Sequence, residues 1–299
     1  MQDALLRCEV GFDRKAAYLT PAMEKSYPID RLAYWINERQ HITDARYLGE
    51  PKPWTQDPIL QQFKFCSVRR EDDAVTRWIE KHWRAPHRSD KKAWFSMGVA
   101  RLLNYTPTLD EIGYPKPWRP EAVRAKLQRR KMAKEQVFTG AYMITNAGMS
   151  MSKVNTVVHL LNNLHALADP PCVGDTLATA HAKLRKANCA GMGSFIAAQV
   201  VADAKHMDLL ADAADWWDWA APGPGSLRGL ARINGLPPVR NGAEFIEWLQ
   251  TLRELVQPRL GPHVPRLCLQ DLQSTLCEFD KMERTTWGEG RPRSRYPGV

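Results

Sequence analysis

A mainly helical, all-α fold carrying a helix-hairpin-helix unit is what this 299-residue sequence predicts, on three observations. Apolar residues recur at helical spacing through most of the chain. Residues 175–205 read as helix, Gly-x-Gly turn, helix. Strand-like character is confined to residues 137–144, which read equally well as a buried turn.

Residues 1–50 form a helical lead-in, and residues 51–299 are expected to form one helical domain. Three prolines in Pro51-Lys-Pro-Trp-Thr-Gln-Asp-Pro58 forbid a continuous helix there, so this is an ordered loop with Asp57 as a helix start. Ile59, Leu60, Phe63 and Phe65 supply a short helix, and Val75, Trp78, Ile79 and Trp83 resume the helical spacing. Pro-Lys-Pro-Trp returns at residues 115–118, between helices expected at 93–103 and 121–136. After Ser152, the apolar positions Val154, Val157, Val158 and Leu161 mark an amphipathic helix.

The hairpin follows. Residues 175–187 make a helix with Asp175 as candidate cap, and residues 188–193 make a glycine turn. Ser194 then caps a second helix to Asp203. Such a turn aims backbone N–H groups at a DNA phosphate, and glycine lets the backbone come close. A plain connection between helices has the same pattern. Residues 220–229 hold so much glycine and proline that they read as a shaped loop. Leu269, Leu272, Leu276 and Phe279 form the apolar face of a last helix, and residues 288–298 are irregular.

The composition is ordinary for a globular protein, 44% hydrophobic and 25% charged. No apolar run is long enough to cross a bilayer and the N-terminus is no secretory signal, so a cytoplasmic protein without membrane partners is expected. A net charge of +9 favours polyanions, with basic clusters at 124–134 and 291–295. Six cysteines (Cys8, Cys66, Cys172, Cys189, Cys268, Cys277) form no CxxC pair, and the histidines form no HExxH. No metal and no cofactor are expected.

Several residues are candidates for chemistry. Gln199 and Asp203 stand one turn apart on an otherwise apolar helix; they either meet a flipped base or bond to a neighbouring loop. Ser226 and Arg228, in Gly223-Pro-Gly-Ser-Leu-Arg-Gly229, suit a phosphate or carboxylate, although a rigid connection explains the segment equally well. Its ending is not that of a P-loop. Glu278, Asp280 and Lys281 group acids with a base and read either as a proton-transferring set or as a surface ion pair. Trp54 and Trp216, Trp217 and Trp219 lie where a ring can stack on a base. Arg291, Arg293 and Arg295 are phosphate contacts or a basic tail.

Taken in order, the motifs resemble one family. They are Pro53-Trp-Thr-Gln-Asp-Pro-Ile-Leu60, Phe65-Cys-Ser-Val-Arg-Arg-Glu-Asp72, Phe138-Thr-Gly-Ala-Tyr142 and Gly191-Met-Gly-Ser-Phe195 with Gln199 and Asp203. Gly223–Gly229, Leu276-Cys-Glu-Phe-Asp-Lys281 and Gly290-Arg-Pro-Arg293 complete the set. The chain from Pro51 on is similar to the alpha-glutamyl/putrescinyl thymine pyrophosphorylases, or amino acid:DNA transferases, and to the helical module of 5-hydroxymethyl-uracil DNA kinases.

The resemblance implies a helix-hairpin-helix DNA-glycosylase-like architecture. It also implies an enzyme that displaces the (pyro)phosphate of an activated 5-hydroxymethyl-uracil in DNA with an amine. The partners would be double-stranded DNA carrying a modified thymine, an amino acid or polyamine co-substrate, and functionally a 5-hydroxymethyl-uracil DNA kinase. Asp203, Glu278, Lys281, Asp215 and Gln199 are then the catalytic candidates. Arg69, Arg70, Ser226, Arg228, Thr139, Tyr142, Trp54 and Asp57 are expected at phosphate or substrate. Gly191, Gly193, Ser194, Lys153, Arg284, Arg291 and Arg293 are expected on DNA. Phe195 stands near the place of the lysine carried by lyase-type glycosylases, a departure from that group. Two other readings remain: a glycosylase using Asp215 or Asp218, and a non-catalytic DNA-binding module.

Overall fold

In a computed structural model, which describes residues 27–139, 149–186, 192–237 and 241–296, the chain is mainly helical. Among the described residues, β-pairing is limited to one antiparallel bridge between Phe63 and Arg295. The chain divides into two compact units, residues 1–73 with 220–299, and residues 74–219.

In the first unit, α1 (Pro28–Tyr47) and α2 (Pro58–Gln62) pack with α10 (Pro224–Asn234), α11 (Gly242–Val256) and α12 (Leu269–Thr286). Their shared core includes Ile29, Leu32, Trp35, Ile59, Phe245, Leu249, Leu272 and Phe279. The segment expected as a lead-in thus supplies a core helix. Asp57 starts α2 as the sequence suggests, its carboxylate accepting from Ile59 N at 2.8 Å and Leu60 N at 2.9 Å. That helix is shorter than expected. Phe63 is already extended, and buried Phe63 and Phe65 alternate with exposed Lys64 as in a strand.

The expected loop at 220–229 needs correction, because its second half is helical. Pro224 sits at the first turn of α10, where its missing N–H costs nothing. Ser226 then closes the cap with Gly223, Gly223 N donating to Ser226 Oγ at 3.0 Å. Gly225 and Gly229 face α12, where an added Cβ would overlap Cys277 Sγ and the Leu276 carbonyl oxygen, respectively. The glycines that lower helix propensity allow these two helices to touch.

In the second unit, α3 (Ala74–Ile79) continues through a π-helical turn (Glu80–Arg84). After it come α4 (Ala93–Leu103), α5 (Thr106–Ile112), α6 (Pro120–Met132) and α7 (Lys153–His165), then α8 (Leu177–Lys186) and α9 (Ser194–Ala204). Every residue of α4 is buried, and α7 and α9 pack on it. Helix α6 stops before the expected residue 136, since Lys134 takes a left-handed φ of 58°. Residues 137–139 form no strand, and the rest of that stretch lies outside the described residues.

Residues 187–191, most of the expected glycine turn, lie outside the described residues, and two cap assignments at α8 and α9 are corrected. Gly193 is the cap of α9, with Ser194 already inside the helix, its oxygen atoms bonding His181 instead. Asp175 accepts from Cys172 N and Lys183. The start of α8 is held by Thr176 and by Asp215, which accepts from Leu177 N at 2.6 Å and Ala178 N at 3.0 Å. Both Pro-Lys-Pro-Trp copies contain a cis Lys–Pro bond, one in each unit.

Candidate functional site

The densest arrangement of sequence-predicted residues lies in the first unit, along α12. Helical spacing places Glu278 and Lys281 on adjacent turns, and the Lys281 ammonium donates to both Glu278 oxygens at 2.7 and 2.7 Å. Cys66 N adds a third bond to the carboxylate at 2.9 Å. This pair is no solvated surface bridge, because Glu278 is buried and the Lys281 side chain is 28% exposed. Burial works against the charge on Lys281, but Glu278 outweighs it and raises the pKa above the ordinary lysine value. Phe65 offers its ring to the same ammonium at 5.5 Å.

On the neighbouring face, Asp280 is completely buried and gathers three guanidinium groups. Arg228 Nε lies 3.0 Å away, Arg232 Nε 2.9 Å and Arg284 Nε 3.3 Å. Arg232 also meets Glu289. A fully buried carboxylate here fixes three cations from two helices. Arg228 and Arg284 keep side-chain exposures of 50% and 36%, so they present positive charge to solvent. Such a preorganised set suits phosphate oxygens. Arg228 and Arg284, predicted for different tasks, thus share one anchor. Arg232 and Glu289 went unpredicted. Helical i, i+4 spacing of Arg228 and Arg232 would have found the former, had residues 223–229 been read as helix.

The other predicted residues of this unit are distributed more widely. Ser226 is buried and contacts Gln273 Nε2 at 3.2 Å, so it serves the α10 start. Arg70 N donates to Asp271 at 3.1 Å, while Arg69 pairs loosely with Asp72 at 3.6 Å. Asp57 is occupied by its capping bonds and by Tyr34 Oη at 3.1 Å. Trp54 Nε1 donates to Glu50 O, and its ring meets Tyr296 edge-on at 5.7 Å. Arg291 and Arg293 are exposed.

In the second unit, Asp203 is 0% exposed and held by Arg101 at 2.5 and 2.6 Å, with Arg84 at 3.7 Å. Arg101 also donates to Asn104 and Thr76. Arg84 also pairs with Glu80 at 2.6 Å, so the buried Asp203 sits within an internal network of ion pairs and hydrogen bonds. Gln199 is half-buried one turn earlier. Asp215 holds the start of α8, as described. Thr139 and Lys153 are brought together at an open pocket of about 390 Å³ that Phe138 also lines, the Lys153 ammonium lying 4.6 Å from the Phe138 ring centre. Gly193 and Ser194 stand at the start of α9. Gly191 and Tyr142 lie outside the described residues.

Among the described residues there is no cluster of three or more metal-ligating side chains, and no helix long and apolar enough to cross a membrane. A family model described as "5-hmdU DNA kinase, helical domain" matches residues 26–291. A 5-hmdU DNA kinase of Bacillus phage SP10 is 32% identical over 146 residues, which is 43% of this chain and 23% of that protein. The match thus spans less than a quarter of the relative. No solved structure matches.

Proposed function

The chain belongs to the family of the 5-hmdU DNA kinase helical domain, and from that membership we propose that it modifies 5-hydroxymethyl-uracil in DNA as an amine transferase. Its substrate is a base whose hydroxymethyl oxygen already carries phosphate or pyrophosphate. An amino acid or polyamine attacks the exocyclic methylene, a C–N bond forms, the C–O bond breaks, and the phosphate leaves with the bonding electrons.

The observation that carries this reading is the placing of the Glu278–Lys281 pair and the Asp280–Arg284 pair along α12, with Arg228 joining Asp280 from α10. Only a neutral amine is a nucleophile, so a carboxylate must take a proton, and Glu278 is the group assigned to that task. Lys281 attracts the carboxylate of an amino-acid co-substrate. Arg228 and Arg284 neutralise the charge that grows on the departing phosphate. The hairpin of α8 and α9 grips a DNA phosphate, in the manner of a helix-hairpin-helix DNA-glycosylase-like architecture. Asp203, enclosed by Arg101, supports this unit and takes no part in proton transfer.

The test is mass spectrometry of nucleosides from DNA containing phosphomethyl-uracil, incubated with the protein and a pool of amino acids and polyamines. A nucleoside with an added amine is the expected product. Unchanged starting nucleoside would defeat the transferase reading, and abasic DNA would replace it with a glycosylase.

A further inference from the structure

A buried guanidinium stands behind the Glu278–Lys281 pair. Arg39, on α1, is 2% exposed, and among the described residues no carboxylate lies within ion-pair distance of it. Its Nη1 donates to Thr43 Oγ1 at 2.9 Å, one helical turn on, and its Nη2 to the Phe65 carbonyl oxygen at 3.2 Å. Burial pulls its pKa below the ordinary arginine value, and Glu278 is the carboxylate whose charge opposes that fall. A buried cation with no carboxylate beside it is costly, so its charge must be answered through the groups it reaches.

The Phe65 carbonyl and the Cys66 N–H belong to one peptide group, and that N–H donates to Glu278 Oε2 at 2.9 Å. The peptide is trans, so its C=O and N–H point in opposite directions. It therefore lies between α1 and α12, with Arg39 on one side and Glu278 on the other. A guanidinium on the oxygen draws electrons from the nitrogen and makes the N–H a stronger donor, so the bonds reinforce one another. One carboxylate thus answers two cations, Lys281 directly and Arg39 through a peptide.

The same bonds set the two oxygens of Glu278 apart. Among the described residues, Oε2 accepts from both Cys66 N and Lys281 Nζ, and Oε1 from Lys281 Nζ alone. A carboxylate oxygen has two lone pairs, so Oε1 is the one with a lone pair left for a proton.

We infer that Arg39 is a positioning residue for Glu278, which through the Phe65–Cys66 peptide holds Oε2 and leaves Oε1 to accept the amine proton. Its catalytic consequence rests on the amine-transfer reading, whereas the relay is a property of the fold.

The test is nuclear magnetic resonance of the full chain, isotope-labelled at phenylalanine carbonyl carbons and cysteine nitrogens. Phe is followed by Cys only at residues 65–66, so one signal reports the carbonyl carbon and the amide proton of this peptide. Arg39→Met should move both upfield, and Glu278→Gln should move the same two signals from the other end. In Arg39→Met, kcat for amine transfer should fall about tenfold or more with KM for DNA unchanged. A carbonyl signal that moves while the amide proton and kcat keep their wild-type values would overturn the inference and leave Arg39 with a local bond. Should Arg39→Met fail to fold, Glu278→Gln decides the matter, because an unmoved Phe65 carbonyl breaks the relay. Coupled shifts in a chain that transfers no amine would sink the amine-transfer reading and leave the relay standing.

Discussion

Arg101 holds Asp203 through two hydrogen bonds, of 2.5 and 2.6 Å, with both side chains shut away from solvent. They stand 102 residues apart in the chain and join α4 to α9. Two desolvated charges of this kind contribute little net stability as a pair, but the loss of one partner strands the other.

Asp203→Asn should therefore destabilise the fold by about 3–5 kcal/mol. Denaturant unfolding followed by circular dichroism measures it. A midpoint equal to wild type would mean that Arg101 is satisfied without this carboxylate. Loss of activity in the variant should follow loss of folded protein.

Glu278→Gln keeps the shape of the side chain and removes its ability to take a proton. Amine transfer should fall by about 10²–10⁴-fold while DNA affinity is kept. Single-turnover assays beside anisotropy titrations separate the two quantities, and full transfer by the variant would exclude Glu278 as the proton acceptor.

The ion pair of Lys281 should also be visible in the pH dependence of stability. Its pKa in the folded state lies above the ordinary 10.5. The contribution is complete below pH 10.5 and disappears as the pH rises through the raised value. Against Lys281→Met, wild type should thus hold an advantage of order 1 kcal/mol at about pH 8 that shrinks as the pH is raised above 10.5. An advantage that stays constant over this interval would assign it to packing.

Gly229→Ala and Gly225→Ala should differ. The first puts a methyl group on the Leu276 carbonyl oxygen, which belongs to the backbone of α12 and has no rotamer to change. The second meets the Cys277 side chain, which can turn away. Costs of about 1–3 kcal/mol for Gly229→Ala and less for Gly225→Ala are expected from urea unfolding. Equal costs would mean that the two helices separate as rigid bodies.

Arg228→Ala together with Arg284→Ala removes the two exposed cations anchored on Asp280. If they stabilise a departing phosphate, kcat should fall about 10²-fold or more. Unfolding midpoints must be measured beside kcat, since the buried Asp280 then keeps only Arg232 as a cationic partner. A kcat equal to wild type would remove the cluster from the reaction.

From the sequence alone came the helical class, the amphipathic helices at α7 and α12, the succession of α8 and α9, and the start of α2 at Asp57. Each depends on neighbours within about one helical turn, where spacing and capping chemistry decide the outcome. Glu278 and Lys281 were legible for the same reason, being three residues apart on one helix. What tertiary structure decided was of another kind. Residues 224–234 have the glycines and proline of a loop and become helix α10 because α12 fits closely against those glycines. For Asp203 the sequence left open a substrate contact or an internal bond, and the bond comes from Arg101 on another helix. Asp280 gathers arginines from α10 and α12, and the C-terminal segment brings Arg295 and Tyr296 to Phe63 and Lys64. Contacts between distant segments carry no periodic signal in the chain, because burial and charge pairing are settled only once the helices are packed.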